Sequence, residues 1–149
     1  MKAPLLAVAL AAVGAMPAAY AAGDLSRNNP QEIVLEMGSS GSKMYFKPDH
    51  LNLETGKAYK LVLKNVDKIN HELESPELVE RIFTRKVEVA DMNDHMVAEI
   101  KGNIREIEVG PGGTAEWFFV PVQSGEDIPI ACAITGHAEA GMVGTVTIK

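Results

Sequence analysis

Cys132 is the only cysteine of this 149-residue chain, and it opens the run Cys132-Ala133-Ile134-Thr135-Gly136-His137-Ala138-Glu139-Ala140-Gly141-Met142. A thiol, an imidazole and a thioether therefore share one short segment at the spacing Cys-x4-His-x4-Met. A thiolate is a polarisable donor that a bound metal keeps deprotonated at neutral pH. One thiolate and two imidazoles make a trigonal plane, and a thioether above it gives the long, weak axial contact of a blue-copper site. Cys132, His137 and Met142 are three of those four donors. The plain alternative for a lone cysteine is a small buried hydrophobe, but His and Met at ligand spacing favour a metal. Export would usually imply paired cysteines, and a single one cannot close an internal disulfide.

The fourth donor must come from elsewhere, and the other histidines are His50, His71 and His95. His71 follows the apolar segment Leu61-Val62-Leu63 and a polar turn, and it opens a new extended segment. That is where a neighbouring strand end would deliver a ligand, so His71 is favoured. His50, in Lys47-Pro48-Asp49-His50, reads as a turn residue, and His95 lies in the polar hairpin tip Asp91-Met92-Asn93-Asp94-His95. The segment Met92 to Met96, with Met37 and Met44 elsewhere, offers soft donors that could hold Cu(I) weakly. An ordinary polar turn is the better reading of that hairpin.

These side chains need a scaffold, and apolar alternation predicts one built from strands. The pattern places them at 32–37, 43–46, 58–64, 71–74, 86–90, 97–101, 104–109, 114–120, 128–133 and 144–148. Gly38-Ser39-Ser40-Gly41, Thr55-Gly56, Gly110-Pro111-Gly112-Gly113 and Ser124-Gly125 supply the turns. Many short strands with glycine-rich turns predict an all-β, antiparallel sandwich. One segment departs from this: Ser75-Pro76-Glu77-Leu78-Val79-Glu80-Arg81-Ile82-Phe83 has a hydroxyl before Pro and an acid in the first turn. It predicts a short inserted helix near 76–83, packing Leu78, Ile82 and Phe83 on an edge of the core. Trp117 and Phe119 alternate onto one face and read as core.

The start of the chain carries Lys2, an apolar run from Pro4 to Val13, and Ala19-Tyr20-Ala21. That is the pattern of a signal peptide over 1–21, cleaved near Ala21, which implies a periplasmic protein. The apolar run is short for a membrane span, which needs roughly 20 residues, and no later segment is apolar enough for one. Residues 22–149 then form one domain. Lys+Arg 14 against Asp+Glu 20 leaves a net charge of −6, and losing Lys2 makes the mature chain more acidic still. Nucleic acid and acidic lipid are poor partners for that surface.

The Cys132–Met142 spacing, Gly136-His137-Ala138 and the ending Gly141-Met142-Val143-Gly144-Thr145 together resemble the cupredoxins, the family of plastocyanin, azurin and rusticyanin. The resemblance spans about Glu32 to Lys149 and is strongest in the last twenty residues. It implies a Greek-key β-sandwich or barrel holding one copper per chain through His71, Cys132, His137 and Met142. It also implies one-electron, outer-sphere transfer, with redox partners docking near His137 on a patch formed with Ala138, Ala140 and Pro111. Two features depart from the family. Glu72 stands after the first histidine where Asn is usual, and its side chain could still accept a hydrogen bond from the Ala133 backbone. The stretch from Glu74 to Ile107, with its helix and hairpin, has no counterpart in the small members.

A soluble electron carrier is thus the leading expectation. Periplasmic copper binding for tolerance or delivery is the alternative, and it should differ by releasing metal readily to an acceptor. An enzyme such as an oxidase or nitrite reductase is not expected. It would need a second copper centre, and two of four histidines are already used.

Overall fold

The computed structural model describes residues 29–91, 93 and 95–149. Residues 1–21, expected from sequence to be a signal peptide, lie outside the described residues, as do Met92 and Asp94 of the hairpin. The described elements run β1 (Gln31–Ser40), β2 (Lys43–Lys47), β3 (His50–Leu53), β4 (Tyr59–Asn65), β5 (His71–Glu74), α1 (Pro76–Arg81), β6 (Ile82–Ala90), β7 (Met96–Ile100), β8 (Glu106–Val109), β9 (Thr114–Pro121), β10 (Gly125–Ala131) and β11 (Val143–Ile148). They form a six-stranded sheet, β2-β1-β4-β9-β6-β7, and a five-stranded sheet, β3-β11-β10-β5-β8.

Period-two alternation decides which side of each strand faces inward. In β4, Tyr59, Leu61 and Leu63 point into the core, and β9 opposes them in register as Tyr59↔Phe119, Leu61↔Trp117 and Leu63↔Ala115. Trp117 and Phe119 pack edge to face with centroids 5.4 Å apart, and Phe119 lies 6.0 Å from the ring of Tyr59. The five-stranded sheet adds Leu73, Ile107, Ile128, Ile130, Val146 and Ile148 to the same core.

The sheets are mixed where alternation suggested an antiparallel sandwich: β1 pairs parallel with β4, and β3 with β11. Alternation fixes the inward face of a strand, but not the direction of its neighbour. β3 itself escaped the sequence reading. His50 is not a turn residue: it begins β3 opposite Thr145, and its Nδ1 lies 2.7 Å from Thr145 Oγ1. Leu51 and Leu53 are the buried positions of that short strand, too brief a pattern to stand out after Pro48.

The helix forms as its cap predicts. Ser75 accepts a hydrogen bond from the Leu78 N–H at 3.2 Å, Pro76 occupies the first turn, and Arg81 pairs with Glu77. Ser75 also donates its hydroxyl to the Pro129 carbonyl at 2.6 Å, which ties the helix to β10. Leu78, Val79 and Ile82 are buried, whereas Phe83 is 64% exposed. The expected packing of Phe83 fails because β6 begins at Ile82. The period changes there from 3.6 to 2, so Phe83 turns to the opposite side from Ile82.

Candidate metal centre

His71 is delivered by the connection from β4 to β5, which is braced by Asn65. The Asn65 amide donates to the Ile69 carbonyl at 2.8 Å and to the Val109 carbonyl at 2.8 Å, and its Oδ1 accepts from the Asp67 N–H at 2.9 Å. The turn is therefore tied both to itself and to the end of β8. His71 opens β5 directly opposite Val109 and is fully buried. Its Nε2 lies 3.2 Å from Asp67 Oδ2, while its Nδ1 is buried without a hydrogen-bond partner. Buried polar atoms are ordinarily satisfied, so a buried imidazole nitrogen with no protein partner is suited to ligate a metal.

The other donors come from the connection between β10 and β11. Cys132 follows the end of β10, and its N–H donates to the Met142 carbonyl at 3.1 Å. The Met142 N–H donates to the His137 carbonyl at 3.0 Å, and the Ala140 N–H to the Gly136 carbonyl at 3.0 Å. The backbone thus cinches Cys132, His137 and Met142 together. Two glycines make the path possible, Gly136 at φ 87° and Gly141 at φ 104°, a region that side-chain-bearing residues rarely enter. The loop is also tied to the first sheet, because the Met44 N–H donates to the Ala140 carbonyl at 2.9 Å.

These connections bring His71, Cys132 and His137 into one cluster. Cys132 Sγ is 3.2 Å from His137 Nδ1, and the two imidazole rings are 5.2 Å apart at 62°. One donor atom from each of the three residues falls within 4.8 Å of the others. A metal about 2.0–2.3 Å from each N and S donor, centred in a plane, requires donor separations of about 3.7 Å. The 3.2 Å between Cys132 Sγ and His137 Nδ1 falls short of that and no separation exceeds 4.8 Å, so the three donors lie close enough to share one ion. Met142 is fully buried at the end of the same loop, and His137, 9% exposed, is the least buried of the four. Ala138 and Ala140 beside it are half-buried, and Pro111 is exposed.

The electrostatics favour neutral donors before metal enters. Burial pushes the Cys132 thiol up, opposed by N–H groups of Ile134 and Glu72 that point at its sulfur. Burial, followed by the nearby His71, pulls His137 down. Neutral imidazole is the ligating form, and the cysteine proton must leave when a metal binds. The N–H groups left on the sulfur then hold thiolate charge and are one of the levers on a copper potential.

Glu72 takes part differently from expectation. Its main-chain N–H donates to Cys132 Sγ at 3.3 Å, but among the described residues its carboxylate makes no bond to Ala133, and its Oε1 is buried without a partner. Burial, and then Glu106, Glu74 and Glu108 on β8 and β5, push its carboxyl up. His50 and His95 stay outside the cluster: His50 is held by Thr145, and His95 Nδ1 lies 3.4 Å from Asp91. Asn65 and Asp67 were not singled out from sequence. The available signal was Asp67, four residues before His71 in a turn that Asn65 opens.

A model of copper-binding proteins of the plastocyanin/azurin family matches residues 33–149. The chain belongs to that family. Copper is accordingly the cofactor, and the bare His71 nitrogen beside a thiol and a second imidazole suits it. This cupredoxin is 33% identical over 119 residues to the copper-resistant cuproprotein CopI of Vibrio cholerae, a match covering 78% of this chain and 65% of that relative. Among solved structures it is similar to a laccase from Pediococcus acidilactici, with a TM-score of 0.63 at 17% identity over 99% of this chain and 31% of the laccase. A copper nitrite reductase from Nitrosomonas europaea gives a TM-score of 0.60 at 14% identity, covering 80% of this chain and 49% of the reductase. At such identities these likenesses show the cupredoxin fold alone.

Proposed function

We propose that His71, Cys132, His137 and Met142 hold a single type 1 copper ion, and that this cupredoxin exchanges single electrons at the His137 edge. The buried His71–Cys132–His137 triangle, with His71 Nδ1 left bare, carries this reading. Bound copper supplies a one-electron couple; the protein supplies a cage that does not rearrange. The cysteine loop is closed by its own backbone bonds, and His71 is anchored by the Asn65 brace. Ligands positioned in advance need little reorganisation when charge changes. His137, 9% exposed, is the least buried of the four side chains, and the half-buried Ala138 and Ala140 follow it in the loop, which suits contact with a redox partner there.

The likeness to a copper-resistant cuproprotein favours a second reading of the same site, a place in periplasmic copper tolerance. Export follows from the signal-like residues 1–21, and no helix among the described residues is long and apolar enough to cross a membrane. We read the chain as a non-enzyme. A second centre would have to draw on His50, which opens β3 in the five-stranded sheet, and His95, in the β6–β7 turn of the six-stranded sheet. Both readings require one copper per chain and a visible thiolate-to-copper band in the Cu(II) protein. A strain lacking the chain separates them. Lost growth at raised copper, restored by the parent chain, supports tolerance; unchanged copper sensitivity supports carriage alone.

Met142 should tune the centre rather than create it, because a thioether would be the weakest of the four donors to copper. Met142→Leu should keep one copper and raise the reduction potential, since losing a donor disfavours Cu(II). Voltammetry with a metal count checks this, and loss of copper would make Met142 a principal ligand.

A further inference from the structure

We propose that Asp67 is the positioning carboxylate of His71: it sets the ring's tautomer so that Nδ1 faces the metal, and its charge favours Cu(II) over Cu(I). The inference rests on the copper site proposed above, but it concerns a residue that never touches the metal.

The geometry assigns the two imidazole nitrogens to different tasks. His71 is fully buried, so water cannot serve either nitrogen. Nε2 lies 3.2 Å from Asp67 Oδ2, and Nδ1 has no protein partner. An ionised carboxylate is an acceptor only, so the Nε2 facing it carries the proton and Nδ1 keeps its lone pair. The reverse tautomer would bury an unpaired N–H at Nδ1 and set a bare nitrogen against a negative oxygen. Both arrangements would be unfavourable.

Asp67 is itself held in place. The Lys68 N–H donates to its Oδ1 at 2.7 Å, which leaves Oδ2 for the histidine. Its own N–H donates to Asn65 Oδ1, and the Ser39 hydroxyl from β1 also donates to the carboxylate. The Ser39 hydroxyl, the Lys68 N–H and His71 Nε2 thus converge on one carboxylate, whose oxygens are left to accept. The Asp67 side chain is only 17% exposed, so solvent screens its charge incompletely. A carboxylate on the remote nitrogen of a ligating histidine orients the ring and raises its basicity. A stronger donor and a nearby negative charge both stabilise the more positive ion, Cu(II).

Two substitutions test this. Asp67→Ala removes both oxygens. Asp67→Asn keeps the shape but offers one acceptor oxygen where the Lys68 N–H and the His71 Nε2–H need two. Each should lower Cu(II) affinity by about 10–100-fold, the usual effect of losing such a partner. Cu(I) affinity should fall less, so the reduction potential should rise. In metal-free parent protein, nitrogen NMR of His71 should show the Nε2–H tautomer, and both substitutions should reduce its share. If Asp67 merely braced the turn, Cu(I) and Cu(II) affinities would fall equally and the potential would not move. That result, or an Nδ1–H tautomer in the parent, overturns the proposal. Should the Ala variant fail to fold, the isosteric Asn variant carries the test. A parent lacking the visible copper band would instead defeat the copper reading, and the metal-free tautomer would still decide the role of Asp67.

Discussion

Cys132→Ser should abolish the visible thiolate-to-copper band completely while leaving the β-sandwich folded. The band needs sulfur bonded to copper, and Cys132 is the only cysteine of the chain. Serine is close to cysteine in size and can still accept the N–H groups of Glu72 and Ile134 that now meet the sulfur. The change therefore removes the soft donor with little loss of packing. Copper should also stop stabilising the fold. For a ligand that binds only the native state, free ligand at 1,000 times its Kd contributes about 4 kcal/mol. The parent should accordingly melt several degrees higher with copper than without it, and the variant should lose that difference. Absorption spectra and paired melting curves of the metal-free and copper-loaded forms measure both effects. A variant that kept its colour would place the chromophore elsewhere.

His71→Ala should be nearly as severe, whereas His50→Ala and His95→Ala should leave the spectrum unchanged. His71 is the one member of the cluster that arrives from outside the cysteine loop, and its ring fills a fully buried position. Alanine would remove a metal donor and leave a cavity in the core, so some stability should be lost even without metal. The fall in Cu(II) affinity should exceed the roughly 10–100-fold typical of losing an outer hydrogen-bond partner. His50 instead meets Thr145, and His95 meets Asp91 at the β6–β7 turn. Metal titrations of the three variants rank them directly. Sensitivity at His95, with His71 silent, would move the site to the hairpin.

The strands were legible wherever apolar alternation ran long enough, as in β4 and β9, where every second side chain enters the core. β3 was too short to be noticed, and its one strong cue, Leu51 with Leu53, followed a proline and a histidine that read as a turn. The helix was legible from Ser75 and Pro76, because capping is a local interaction. The side taken by Phe83 was not, because it depends on where the helical period gives way to the strand period at Ile82.

The same division holds at the metal centre. Cys132, His137 and Met142 could be picked out as candidate donors from sequence because one loop carries all three, and their spacing is itself a local property. The position of His71 after a strand and a polar turn pointed to the fourth. What surrounds those donors depends on contacts between residues distant in the chain. Glu72 offers its N–H to Cys132 across 60 positions, Asn65 reaches the Val109 carbonyl, and Ser39 reaches Asp67 from β1. Such contacts exist only once β5 lies beside β10 and the two sheets have closed on each other. By itself, then, the sequence determined which side chains could meet copper, since donor type and loop spacing are written locally. Only the tertiary structure decided that His71 presents a bare Nδ1 while Asp67 takes its Nε2, because the orientation of a buried ring is set by groups brought to it from other strands.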